Sequence, residues 1–291
     1  MSKIGLGTVQ FGLDYGISSS IGKVTKDDAK NIISFAKENK INLFDTAPAY
    51  GTSEKVLGES DISNVKIITK TRNFNAARIS NEDIESIDID FYNSLKDLKI
   101  EKVYGLLFHN ANDLLKPGGE ELYKAIKKLK KQKKIHKIGI SVYEEKQLEK
   151  ILSIYDIDIV QVPFSIIDRR LMDSGMIDTL YNKKIEVHSR SVFLQGLLLM
   201  SAADRPSHFN KWNRLWQVWH EWLGDNHMTA LEASLRFVMS FPQISKVIIG
   251  VESVIQLKEI LNSSKGSLPE IPGEFLTVDP NLLNPTNWEK T

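Results

Sequence analysis

Short apolar, β-branched runs alternate with longer amphipathic stretches along almost the whole chain. Runs near residues 3–7, 41–45, 65–70, 103–108, 136–141, 158–162, 185–190 and 246–250 read as strands. Between and after them, apolar positions at helical spacing mark segments near 25–39, 53–59, 81–98, 119–134, 144–154, 173–183, 229–240 and 253–261. Strands that alternate with helices imply parallel pairing through crossover connections. Eight such units favour a closed (β/α)8 TIM barrel of the α/β class over an open sheet. Thr25 ahead of Asp28 and Ser80 ahead of Asp83 read as helix N-caps with acidic first turns. No second domain, repeat or low-complexity linker is visible, so residues 1–291 are expected to form a single domain.

Two segments break the rhythm. Residues 197–228, after the seventh strand, are long for a loop and hold Trp212, Trp216, Trp219 and Trp222. Long loops in compact domains are usually lids or binding loops. Trp212, Trp216, Trp219 and Leu223 also follow helical spacing, which points to an extra helix packed on the barrel. The two readings are compatible. The tail, residues 266–291, carries Pro269, Pro272, Pro280 and Pro285 and is expected to lack regular structure. Its Phe275, Leu276, Leu282, Leu283 and Trp288 are apolar enough to dock it on the body.

Composition then narrows the classes. A hydrophobic content of 42% with 26% charged residues suits a soluble globular chain with a sizeable core. A net charge of +1 makes no case for nucleic acid or an anionic membrane as partner. The basic run Lys127-Lys128-Leu129-Lys130-Lys131-Gln132-Lys133-Lys134 lies opposite a stripe of Leu122, Ile126 and Leu129, so it reads as a solvated helix face. The absence of cysteine excludes disulfides, zinc–thiolate sites and thiol nucleophiles. No apolar stretch is long enough to span a bilayer, and the start through Ile4-Gly5-Leu6-Gly7 has no signal-peptide core. A cytoplasmic location is the expectation.

Candidate chemistry gathers at strand ends. Asp45 closes the second strand, Lys70 the third and His109 follows the fourth, with Tyr50 on the loop after Asp45. In a parallel barrel those ends converge on one volume. A tyrosine with a free pKa of about 10 is a poor acid unless its anion is stabilised. An ammonium beside it supplies that stabilisation, and a carboxylate orients the ammonium. His109 adds a donor to the same substrate oxygen. The set holds no evident nucleophile and does not make up a metal-binding set, which suits carbonyl reduction by a hydride donor better than hydrolysis.

The same residues carry a family resemblance. Gly5-Leu6-Gly7-Thr8, Asp45-Thr46-Ala47 with Tyr50-Gly51, Ser53-Glu54, Lys70 and His109 together resemble the aldo-keto reductase superfamily. The likeness continues through Gly139-Ile140-Ser141, Gln161 to Ser165, Ser191 to Leu197, and Ile249-Gly250 with Gln256 to Glu259. It implies a barrel that binds NADPH without a dinucleotide-binding domain, a tyrosine acid tuned by lysine and aspartate, and a histidine that orients the carbonyl. Cofactor contacts are thereby expected at Thr8, Ser141, Gln161, Arg190, Ser191, Phe193, Gln195, Gly196, Leu197, Gly250, Glu252, Ser253, Gln256 and Glu259.

This chain departs from the family at three places. Val142 replaces the asparagine that helps hold the nicotinamide carboxamide beside Ser141 and Gln161. Arg190 stands where an aromatic ring stacks on nicotinamide; a guanidinium can stack there, and its charge disfavours the oxidised cation. Gly250 and Gln256 replace cations that grip the 2′-phosphate, while Glu252 suits a ribose hydroxyl. NADP(H) is favoured, with NAD(H) the alternative. Substrate contacts are expected from Val9, Phe11 and Tyr15, from Arg72 and Phe74, and from Asn110, an outline that suits a polar carbonyl compound. The competing function is a cofactor-holding, redox-sensing regulatory subunit that acts through a protein partner. Retention of all the catalytic residue types favours the enzyme.

Overall fold

A computed structural model describes residues 2–17, 22–275, 277 and 279–288. The parallel strands are β1 (Ile4–Gly7), β2 (Leu43–Asp45), β3 (Lys66–Lys70), β4 (Val103–Phe108), β5 (Ile135–Ser141), β6 (Ile159–Pro163), β7 (Glu186–Arg190) and β8 (Ile244–Gly250). They close into one barrel in sequence order, with β8 paired back on β1. The expected (β/α)8 topology is therefore present.

The crossovers are helices α1 (Lys26–Glu38), α2 (Ser53–Gly58), α3 (Asn81–Leu98), α4 (Gly119–Lys131), α5 (Glu145–Leu152), α6 (Arg170–Asp173), α7 (Met176–Asn182), α8 (Asn213–Asp225) and α9 (Ala230–Met239). Helix α10 (Val254–Ser263) follows β8, and one-turn α11 (Pro280–Leu283) lies in the tail. Thr25 accepts from the Asp28 amide, and Ser80 and Asp83 form a reciprocal capping box. Leu122, Ile126 and Leu129 are buried under α4, while Lys128 pairs with Asp88 and Lys130 with Asp158. None of the helices in the described residues is long and apolar enough to cross a membrane.

Several boundaries differ from the sequence reading. β2 starts at Leu43 and not at 41, because Ile41 is spent on the turn after α1. α4 stops at Lys131, where Lys133 takes a left-handed φ of 60° and turns the chain into β5. The helix expected at 173–183 is two, α6 and α7, parted at Gly175 with φ 73°.

Side-chain alternation divides the interior in two. Leu43, Ile68, Leu107, Ile159 and Ile248 form their own cluster within the barrel, and a larger cluster fills the layer between strands and helices. Asp45, Lys70 and Gln161 lie two residues beyond Leu43, Ile68 and Ile159, so they share the inward face one layer nearer the C-terminal mouth. The segment 197–228 carries α8, on which Trp216, Trp219 and Trp222 are buried and donate to the Phe209, Leu198 and Glu270 carbonyls. Packing explains these rings. The tail does dock: Phe275, Leu282 and Leu283 are fully buried, though as short helical turns and not as irregular chain; Leu276 lies outside the described residues.

Candidate active site

The segment Asp45–Ser53 is tied in place by hydroxyls. Thr8 Oγ1 donates to the Asp45 carbonyl at 2.9 Å and lies 2.7 Å from Ser53 Oγ, which itself donates to the Thr8 carbonyl. Thr46 Oγ1 lies 3.1 Å from the same hydroxyl. Beneath them Thr69 donates to Glu54 at 2.6 Å, pinning α2 to β3. Gly51 takes φ 59° where a Cβ would strike the Gly12 carbonyl, so glycine alone lets the loop turn after Tyr50.

Within this frame the side chains expected to meet do so. Lys70 Nζ donates to Asp45 Oδ2 at 2.7 Å, to the Thr46 carbonyl at 3.0 Å and to Tyr50 Oη at 3.2 Å. The Lys70 and Asp45 side chains are 1% and 5% exposed, so this is a buried, hydrogen-bonded pair. Gln161 Nε2 donates to the other Asp45 oxygen at 2.8 Å. The His109 ring meets Tyr50 edge-on, with centroids 5.8 Å apart.

Electrostatics follow from that geometry. Burial pushes the Tyr50 hydroxyl up, against the pull of Lys70, so it is protonated at neutral pH. Burial alone would lower Lys70, but Asp45 and then Tyr50 outweigh it and hold the ammonium charged. Burial, reinforced by Lys70, lowers His109 to about 4, so its imidazole is neutral. Its Nδ1 is buried with no hydrogen-bond partner among the described residues.

Arg190, at the end of β7, lays its guanidinium over Tyr143 at 4.0 Å from the ring centroid and donates to the Val142 carbonyl at 3.1 Å. Tyr143 was not singled out in the sequence, because only the fold brings it beneath Arg190. After β7, Ser191, Leu194, Gln195 and Gly196 all have φ between 49° and 93°. Such strained backbone clusters at ligand clamps. At the end of β8, a Cβ on Gly250 would come within 2.3 Å of the Gln10 side chain, whose Oε1 is buried without a partner among the described residues. Ser253 caps α10 by accepting from the Gln256 amide, and a helix N-terminus beside a barrel mouth suits phosphate. These residues, at the ends of β7 and β8, are the ones that could hold a nucleotide cofactor.

Several other expected site residues are committed elsewhere. Thr8 and Leu197 are fully buried, the first in the hydroxyl knot and the second in the core, leaving neither a surface for a cofactor. Phe11 and Phe74 are likewise core residues, at 0% and 3% exposure, and are corrected from substrate contacts to packing. Arg72 forms a two-pronged ion pair with Asp90 on α3, and Asn110 caps the turn after β4 through the Asn112 amide. Gln256 accepts from the Glu252 amide, which ties both to the α10 cap, and Glu259 is exposed on α10. Ser141 stands beside Gln161 in the β5–β6 register, Phe193 is half-buried, and Val9 is partly exposed above β1. Gln195 donates to Tyr15 Oη at 3.2 Å, joining the loops after β7 and β1.

Comparison with known proteins agrees with this geometry. The profile of the aldo/keto reductase family matches residues 3–271. The uncharacterized oxidoreductase YqkF of Bacillus subtilis is 24% identical over 283 residues, 91% of this chain and 87% of that protein. The holo form of the aldo-keto reductase AKR11C1 from Bacillus halodurans superposes with TM-score 0.72 at 19% identity, covering 92% of this chain and 88% of that one. The glycerol dehydrogenase AKR11B4 from Gluconobacter oxydans gives TM-score 0.69 at 18% identity, covering 93% and 88%. At these identities the structures show a shared fold.

Proposed function

The chain belongs to the aldo/keto reductase family and is an NAD(P)H-dependent oxidoreductase; on that premise we propose that it reduces an aldehyde or ketone to an alcohol with Tyr50 as the general acid. The observation that carries this reading is the Lys70 ammonium held between Asp45 and Tyr50, at 2.7 and 3.2 Å. The nicotinamide cofactor, when bound, supplies the hydride. Tyr50 gives its proton to the carbonyl oxygen as negative charge develops there. Lys70 stabilises the tyrosinate left behind, and Asp45 keeps Lys70 charged. Neutral His109 donates an N–H to the same oxygen and so orients the carbonyl. We assign the cofactor to Ser141, Arg190, Ser191, Gly250 and Ser253, with Phe193, Gln195 and Gly196 on the adjoining loop after β7.

NADP(H) is the favoured cofactor, on the family's habit, and Glu252 keeps NAD(H) as the alternative. With Arg72 and Asn110 spent on Asp90 and Asn112, the polar-substrate outline loses its main supports. The proposal therefore stops at aldehyde or ketone. The regulatory-subunit reading gains no support from the site or the relatives. Titrating the protein with NADPH and with NADH while following tryptophan fluorescence tests the cofactor half of the proposal. Saturable binding, tighter for NADPH, is expected; no binding of either cofactor would overturn it.

A further inference from the structure

Gln161 projects from β6 and Asp45 from β2, and these strands face each other across the barrel. The Gln161 amide is 2% exposed and spans the lumen to reach Asp45 Oδ1 at 2.8 Å. Asp45 Oδ2 receives Lys70 from the neighbouring strand at 2.7 Å. Each carboxylate oxygen thus has a donor, from opposite walls, and the plane of the carboxylate is set by both.

Lys70 has little freedom to compensate for a change at Asp45. An ammonium has three N–H donors, and the contacts of Nζ are Asp45, the Thr46 carbonyl and Tyr50, the last being the longest at 3.2 Å. If Asp45 rotated toward the side that lost its donor, Lys70 would follow the charge-assisted bond and give up the weaker one to Tyr50. We propose that Gln161 is a positioning residue of the proton-donating group: by fixing Asp45 from across the barrel it keeps Lys70 on Tyr50. This rests on the reading of Tyr50 as the acid. It adds to the role the family resemblance implies, a contact to the nicotinamide carboxamide, because the bond to Asp45 uses one N–H of the amide and leaves its oxygen and second N–H for other partners.

Two variants separate the roles. Gln161→Met keeps the length and volume but removes the donor. The positioning role predicts a kcat lower by about tenfold, the worth of one hydrogen bond to a charged group. It also predicts a changed carbon NMR shift at Tyr50 Cζ, which reports the hydrogen bond from Lys70, and an NADPH dissociation constant changed by less than about threefold on fluorescence titration. Gln161→Glu restores a donor only while the new carboxyl is protonated. Its kcat should approach the parent value at acid pH and fall as the second carboxylate ionises beside Asp45. This variant carries the test by itself if Gln161→Met does not fold. NADPH affinity weakened tenfold or more, with the Tyr50 shift unmoved and kcat intact, would overturn the proposal and assign Gln161 to the cofactor alone. A fully active Tyr50→Phe enzyme would sink the reading of Tyr50 instead, and the Cζ shift in Gln161→Met would still report whether Gln161 governs the Lys70–Tyr50 contact.

Discussion

The Lys70 ammonium lies 3.2 Å from the Tyr50 hydroxyl and 4.8 Å from the centre of its ring, so one charge touches both the phenolic oxygen and the π-face. Lys70→Met removes that charge and strands Asp45 as a buried carboxylate with Gln161 as its remaining side-chain donor. Breaking a buried pair costs about 3–5 kcal/mol. A lower melting temperature and a kcat reduced as far as by loss of Tyr50 are expected together. Unchanged thermal stability would mean that Asp45 and Lys70 are solvated.

His109 gives a pH signature. Its pKa of about 4 in the fold lies below the ordinary value of 6.5, so the unfolded chain takes up the proton first as pH falls. Stability is therefore unaffected by His109 above about 6.5 and declines from there toward about 4. The kcat profile should show no histidine step between about pH 5 and 8. A step there that disappears in His109→Gln would show that the ring is charged when it works.

Arg190 offers a test of cofactor charge. If the proposed cofactor site is right, its cation lies beside the nicotinamide and disfavours the oxidised form, by about 1 kcal/mol at a partly solvated site. Arg190→Gln should raise NADP⁺ affinity relative to NADPH by about fivefold. An unchanged ratio of the two dissociation constants would place the guanidinium away from the ring.

Glu252→Lys exchanges a carboxylate for a cation at the start of α10. NADPH should gain over NADH by about 1 kcal/mol or less, since the site is partly exposed. Identical preference before and after would put Glu252 outside the adenosine site.

Much of this architecture was legible because its signals are local. β-Branched runs set the strands, Thr25 and Ser80 the helix starts, and barrel convergence brought Asp45, Tyr50, Lys70 and His109 together without knowledge of any helix boundary. The losses were pairings between distant segments. Nothing near Arg72 announces that Asp90, midway along α3, will claim it. Phe11 and Phe74 look like pocket walls because a loop position gives no sign of burial. The reach of Gln161 to Asp45 spans 116 residues and the barrel lumen, and the Tyr143–Arg190 stack joins the loop after β5 to the end of β7, whose approach only the closed sheet determines.

Tyr50→Phe bears most directly on the central claim, because it removes one oxygen and leaves the Lys70–Asp45 pair intact. The comparison is the rate of NADPH-dependent reduction of an aldehyde accepted by the parent enzyme, alongside the NADPH dissociation constant of each protein. Loss of a general acid reduces the rate by about 10²–10⁴-fold, and cofactor affinity should stay within about twofold, since no contact needed for binding is lost. A Tyr50→Phe enzyme that reduces the aldehyde as fast as the parent would contradict the account.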